Sequence, residues 1–459
     1  MSIHAPAFMP FAQRMKAEGL PDIFIETFAH YYQQLAAGET GLISETDILP
    51  VESLPDAAAL PDSLLAVGEK AGGKTAVIKL NGGLGTSMGL QKAKSLLPVK
   101  ESLSFLDIIA RQVLQVKMPL LLMNSFATEA DSLAALAAYP DLSSQLPFSF
   151  GQHKELKIVQ SDLTPAEWPL NPELAWCPPG HGDIYAALVT SGALDALLQA
   201  GYEYAFVSNA DNLGAVMDKR ILGYFAQNGF PFMMEVADRT EMDKKGGHLA
   251  QRPDGQFILR ESAQCPPEDT ERFQDIARHK YFNTNSLWLN LTILQQTMAA
   301  QNNMLRLPMI RNSKTIDPRD PASTPVYQLE TAMGSAIAVF AGATALRVPR
   351  TRFAPVKKTD DLLAVRSDAY LLTEDSHVVP HPDRQLPPLA VELDPDYYKF
   401  VTDLDAQFPY GSPSLLHCSR LSIQGDFAFS RNVVCRGDVN LENKTGRQIM
   451  IPDGAILEG

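Results

Sequence analysis

Apolar positions along the chain fall into three regimes. In the first 70 residues they keep helical spacing: Phe24, Phe28, Tyr31 and Leu35 share one face and predict a packing helix, not a chemical site. The passage Pro50 to Pro61 reads as a linker. From about Thr75, short apolar runs alternate with helical stretches. Strands are predicted at Thr75-Ala76-Val77-Ile78, Leu120-Leu121-Leu122-Met123, Tyr204-Ala205-Phe206-Val207, Phe232-Met233-Met234 and Leu287-Trp288-Leu289. Between the first two, Phe105, Ile109 and Val113 recur at the spacing of an amphipathic helix; Ile184, Leu188, Leu194, Leu197 and Leu198 do so before the third. Continuous apolar strands alternating with helices predict an α/β architecture with a parallel sheet covered on both faces. Ligands then bind beyond the carboxyl ends of the strands, where the polar clusters after Ile78, Met123 and Val207 fall.

The tail reads differently. After the Pro-rich stretch Pro380 to Pro388 come short strand-like pieces, and Gly425-Asp426 and Gly437-Asp438 repeat at an offset of 12. That spacing predicts coils of a β-solenoid, with a small β-sandwich as the alternative.

Composition narrows the function. The chain has 459 residues, 45% hydrophobic and 20% charged, which predicts a folded protein of more than one domain. Its net charge of −14 argues against a sequence-independent nucleic-acid partner but permits a small anionic ligand held by a few clustered lysines. Cys177, Cys265, Cys418 and Cys435 form no CxxC pair and read as reduced thiols. With no secretory signal in Met1 to Pro10 and no membrane-length apolar stretch, a cytoplasmic protein without a membrane partner is expected.

The strongest chemical signal is Lys79-Leu80-Asn81-Gly82-Gly83-Leu84-Gly85-Thr86-Ser87-Met88-Gly89, directly after a predicted strand. Its glycines let backbone N–H groups approach anionic oxygens. It has neither Walker A nor Rossmann spacing, and by itself such a loop is as readily a flexible turn as a phosphate cradle. Lys92 and Lys94, at a predicted helix start, add cations. A second stretch, Pro178-Pro179-Gly180-His181-Gly182-Asp183, holds one imidazole in a rigid loop, with Asp183 expected to cap the following helix. At a third strand end, Asp211 in Ser208-Asn209-Ala210-Asp211-Asn212 suits either Mg²⁺ or an Asx turn. Lys245-Gly246-Gly247, Glu261 and Asn283-Thr284-Asn285 supply groups of the kind that grip sugar hydroxyls, and Lys357-Lys358 form a basic pair.

Together these stretches resemble the UDP-glucose pyrophosphorylases of the eukaryotic type. The resemblance runs from Leu80 to Gly89 with Lys94-Ser95, through Leu122 to Phe126, Pro178 to Tyr185, Phe206 to Gly214, Lys245 to Gly247, Glu261 to Gln264, Phe282 to Asn285 and Gln328 to Ala332, to Arg352 to Lys357. It implies a Rossmann-like nucleotidyltransferase domain with a mixed, mainly parallel sheet over 71–380, a helical segment over 1–70 and a short β-solenoid domain over 381–459. It also implies transfer of a uridylyl group from UTP to glucose 1-phosphate, giving UDP-glucose and pyrophosphate, with Mg²⁺. Leu80, Asn81, Gly82, Gly83, Lys94, Gln152, Gly180, Asp211 and Lys357 would then contact the nucleotide. His181, Asn209, Glu261 and Asn285 would contact the sugar phosphate, Asp211 would hold the metal, and Lys94, Lys357 and Asp211 would carry the catalysis. Before Lys94 the chain has Gln91-Lys92-Ala93 where the family has Lys-Gly-Pro. A different sugar 1-phosphate, such as a galactose or N-acetylhexosamine compound, a non-catalytic sugar-nucleotide-binding role, and homo-oligomerisation through the C-terminal domain are left open.

Overall fold

The computed structural model describes residues 5–142 and 146–459. Its centre is a mixed sheet, ten strands among the described residues: β1 (Leu49–Pro50), β2 (Thr75–Asn81), β3 (Leu120–Asn124), β4 (Ser149–Gly151), β5 (Tyr204–Asn209), β6 (Phe232–Asp238), β7 (His248–Gln251), β8 (Phe257–Arg260), β9 (Tyr281–Asn290) and β10 (Thr344–Arg347). Strands β5, β2, β3 and β4 lie side by side and parallel. The long β9 runs antiparallel between β5 and β6, and β10 continues parallel on β6. Strands β7 and β8 extend the antiparallel part, with β1 at the edge. All five runs predicted as strands are strands.

Both faces of the parallel half are covered. Alternation along β2 sends Val77 to one side, where it meets Leu106, Ile109 and Val113 of helix α2 (Phe105–Val116). Ile78 goes to the other, against α3 (Ile184–Thr190) and α4 (Ala193–Gln199). Helix α2 starts at Ser104 because Ser104 Oγ accepts from Asp107 N at 3.1 Å while Asp107 Oδ2 accepts from Ser104 N at 2.9 Å. The continuous helix suggested by Ile184 to Leu198 is instead two, broken where Gly192 takes a left-handed φ of +75°. Near the N-terminus, α1 (Asp22–Ala36) buries Phe24, Phe28, Tyr31 and Leu35.

The solenoid expected for the tail is not what the chain builds. Strands Ala390–Leu393, Ser414–Gln424, Val434–Glu442 and Ile456–Glu458 form one small parallel sheet, and Phe427–Phe429 pairs with Ile449–Ile451 in another. The 12-residue repeat is not structural: Gly437 lies within a strand opposite Cys418, whereas Gly425-Asp426 is the bend between two strands. Two and a half copies supply too few neighbours to bury an apolar face coil on coil. The inward residues Leu421, Ile423, Phe427 and Val439 pack instead with Tyr398, Leu404 and Phe408, and with Met88 from the glycine-rich loop. Among the described residues, no helix is long and apolar enough to cross a membrane.

Candidate active site

The carboxyl ends of β2, β3 and β5 lie together, and side chains lace their loops to one another. Asn81 Nδ2 donates to Asn124 Oδ1 at 2.6 Å and to Ser132 Oγ at 2.8 Å; Ser125 Oγ donates to the Gly82 carbonyl at 2.9 Å. Gln152 then bridges two glycine-containing loops. Its Nε2 donates to the Gly180 carbonyl at 3.1 Å, and its Oε1 lies where a β-carbon on Gly82 would come within 2.8 Å. Nothing would meet a β-carbon on Gly83 within 4 Å, so that backbone borders open space. Leu80, at the last turn of the strand, is half-buried.

Lys94 follows this loop on a 3₁₀ turn (Lys94–Leu96) leading into a short strand, not on the α-helix expected. Its amide donates to the Gly83 carbonyl at 3.0 Å and its Nζ lies 2.7 Å from Asp211 Oδ2, a half-buried ion pair. Lys92 is exposed. Asp211 sits in the loop after β5, where Ala210 N donates to the Leu80 carbonyl at 3.0 Å and Asn209 is half-buried.

Fixed backbone also shapes the His181 loop. Gly180 has φ +78°, and a β-carbon there would come within 2.5 Å of the Thr331 carbonyl oxygen; at Gly182 it would meet Thr331 Oγ1 at 2.3 Å. His181 Nδ1 accepts from Met333 N at 2.9 Å, which leaves the ring's proton on Nε2. Burial lowers its pKa to about 4, so the ring is neutral at pH 7. Asp183 does not cap α3. It accepts instead from His153, at 2.8 Å from the amide and 2.8 Å from Nδ1, and His153 stacks on Phe24 of α1.

A depressed imidazole pKa has a definite sign. Between about pH 6.5, where an unfolded histidine protonates, and about pH 4, the unfolded chain binds a proton that folded His181 refuses. His181 therefore costs stability progressively as pH falls through that window. Urea unfolding of His181→Asn should give a shallower loss of stability from pH 6.5 to 4 than the unmodified protein; an identical slope would mean that His181 does not titrate abnormally.

The third group of residues lies across the cleft. Strand β9 bulges where its register against β6 shifts between Glu235 and Val236. At the bulge Asn285 takes φ +56°, and Asn283 and Asn285 exchange bonds, Asn283 Nδ2 to Asn285 Oδ1 at 2.9 Å and Asn285 N to Asn283 Oδ1 at 3.0 Å. Burial raises the Glu261 carboxyl, opposed by its hydrogen bond to Asn283 and by the charge of Lys357. Gly247 leaves room for it, since a β-carbon there would displace the Glu261 carboxylate. Lys357 is exposed, its Nζ over the Phe353 ring at 5.7 Å.

Asn212, given no role by the sequence reading, joins the loop of Asp211 to the segment carrying Lys357. Its Nδ2 donates to the Arg352 carbonyl at 3.1 Å, and its Oδ1 accepts from Gly214 N at 3.1 Å and Ala354 N at 2.9 Å. Val356 N adds a bond to the Asp211 carbonyl at 3.1 Å. Asp211 and Lys357 thus ride on one welded unit.

The cleft now has relatives to be set beside. A model of the UTP–glucose-1-phosphate uridylyltransferase family matches residues 22–436. The UTP–glucose-1-phosphate uridylyltransferase of Solanum tuberosum is 41% identical over 392 residues, covering 84% of this chain and 80% of the relative; that of Saccharomyces cerevisiae is also 41% identical, over 84% and 77%. A crystal structure of a mutant UDP-glucose pyrophosphorylase from Leishmania major in complex with UDP-glucose matches at 43% identity and a TM-score of 0.91, over 99% of this chain and 98% of that one. On the family match and these relatives, the chain belongs to the UTP–glucose-1-phosphate uridylyltransferase family.

Proposed function

We propose that this protein transfers the uridylyl group of UTP to glucose 1-phosphate, releasing pyrophosphate and forming UDP-glucose. One observation supports the reading beyond family membership: Gln152 bonds to Gly180 and lies beside Gly82, while Lys94 meets Asp211, as one site formed by the nucleotide signature, the His181 loop and the acidic strand end requires. In the reaction, a phosphate oxygen of glucose 1-phosphate bonds to the α-phosphorus of UTP as the bond to the β-phosphate oxygen breaks. The nucleophile already carries its charge, so no protein base or covalent intermediate is needed. Catalysis rests on positioning and charge neutralisation.

Within this reading Leu80, Asn81, Gly82 and Gly83 form the wall against the uracil, with Gln152 and Gly180 closing its edge. Lys94 offsets charge on the triphosphate. The neutral His181 offers its Nε2 proton to a phosphate or hydroxyl, with Asn209 and Lys357 also directed to the substrates and Glu261 and Asn285 to the sugar hydroxyls. Asp211 fits a divalent ion: it is a hard, half-buried carboxylate at a strand end, and no cluster of three metal-binding side chains occurs among the described residues. Substrate phosphates would have to complete the shell, as Mg²⁺ accepts readily. When bound, such an ion supplies further charge neutralisation on the phosphate oxygens.

The layout proposed is a helical segment over 1–70, a catalytic domain over 71–380 and a C-terminal domain over 381–459. A cytoplasmic location and self-association through the tail belong to the same proposal. Exposed Ile449, Met450 and Ile456 on the last strands support the self-association. The deciding experiment measures pyrophosphate release from UTP and Mg²⁺ with glucose 1-phosphate, galactose 1-phosphate, N-acetylglucosamine 1-phosphate or no sugar. Release mainly with glucose 1-phosphate is expected; release mainly with another sugar would overturn the substrate, and none with any sugar would overturn the activity.

A further inference from the structure

A lysine stands among apolar neighbours in a buried strand. Lys79 lies between Ile78 and Leu80 on β2 and is 3% exposed. Burial pulls its ammonium pKa down to about 7, the Arg352 charge acting in the same direction and Glu235 against it. Lys79 Nζ has no carboxylate within ion-pair distance among the described residues. The nearby acid, Glu235, is occupied by Arg352 at 2.8 and 2.7 Å and by Trp288 Nε1 at 2.9 Å. An apolar side chain of similar length would fill this site without the cost of desolvating a cation. Burial alone therefore gives no reason for a lysine here.

Its two hydrogen bonds do. Lys79 Nζ donates to Ser208 Oγ at 2.7 Å and to the Ala215 carbonyl at 2.9 Å, with the Phe206 ring beneath at 5.6 Å. Ser208 and Ala215 bracket the loop that carries Asn209, Asp211 and Asn212. We propose that Lys79 is a positioning residue for the reaction: from beneath the sheet it ties together the two ends of the Asp211 loop and so holds the Asp211 carboxylate against Lys94. The proposal rests on Asp211 acting on the substrate phosphates, and it gives Lys79 no contact with substrate.

Lys79→Met in the full-length protein tests it, with Ser208→Ala as a milder variant that removes one anchor and leaves the lysine. Displacing a reacting group by about 1 Å can cost roughly 100-fold. Lys79→Met should thus lower kcat by roughly 10- to 100-fold, change the KM for UTP less, and leave the protein folded at the assay temperature. Amide hydrogen exchange should accelerate in peptides covering 208–216 and not elsewhere in the sheet. Ser208→Ala should move kcat and exchange the same way by less, and it decides the matter if Lys79→Met does not fold. Unchanged kcat with unchanged loop exchange would overturn the proposal, as would a loss of activity matched by an equal loss of folded protein. Asp211→Asn, assayed in parallel, separates the two readings. Full activity there would defeat the role of Asp211, while loop exchange in Lys79→Met would still report whether the clamp exists.

Discussion

Lys94→Ala is expected to lower kcat by roughly 10²- to 10³-fold, the usual cost of removing one preorganised group aimed at developing charge, with little change in the unfolding midpoint. The two halves of this result have separate causes. The fold at Lys94 depends on its backbone, whose amide donates to the Gly83 carbonyl at 3.0 Å and which any residue but proline retains. The side chain contributes one half-buried ion pair, with Lys94 and Asp211 side chains 16% and 24% exposed. An exposed pair contributes about 0–1 kcal/mol, and partial burial adds a desolvation cost that offsets the stronger attraction. Chemistry loses far more. UTP brings several negative charges to this cleft, and without Lys94 the Asp211 carboxylate would face them unneutralised. Steady-state kinetics beside urea titration reads both quantities, and a rate within about threefold of the unmodified enzyme would remove Lys94 from the mechanism.

Legibility of the chain followed the range of the interactions involved. The apolar run before the glycines marks β2 because strand burial is a local pattern, and Gly82 and Gly83 mark the cleft because a glycine pair directly after a strand is visible in the sequence itself. Asp183 misled because a helix N-cap is a local expectation, whereas its actual partner, His153, is thirty residues away and reached only by tertiary folding. The Lys94 turn misled for the converse reason: the chain enters a strand at Pro98 before a helix can propagate. Leu287 to Leu289 was legible as a strand, but not its antiparallel direction, because an apolar run looks the same either way. Lys79 did leave a signal, a charge inside an apolar strand, but its meaning depends on Ser208 and Ala215 arriving from elsewhere. Nothing local distinguishes Asn212, whose partners at 352 and 354 are remote in sequence.

Beneath the site lies a buried ion pair with a large expected effect on stability. Glu235 is fully buried; it accepts from Arg352 through both carboxylate oxygens and from Trp288 Nε1. Glu235→Ala would strand a guanidinium left with a bond to the Val216 carbonyl at 2.9 Å and the Phe206 ring at 6.0 Å, and would take away the indole N–H's bond to Glu235. Breaking a buried pair from one side costs about 3–5 kcal/mol, because the remaining charge has been desolvated without return. Urea unfolding of Glu235→Ala should show a loss of that size. Glu235→Leu combined with Arg352→Met should then recover much of it, since the removal of both charges ends the desolvation cost that either single change exposes. The double variant also separates stability from function. Arg352 donates to the Val216 carbonyl beside the end of the Asp211 loop, while its own carbonyl receives Asn212. A variant as stable as the unmodified protein but slower in turnover would show that the pair is kept for the loop it holds. A single-variant loss below about 1 kcal/mol would mean instead that water reaches Arg352 and that the pair is not desolvated at all.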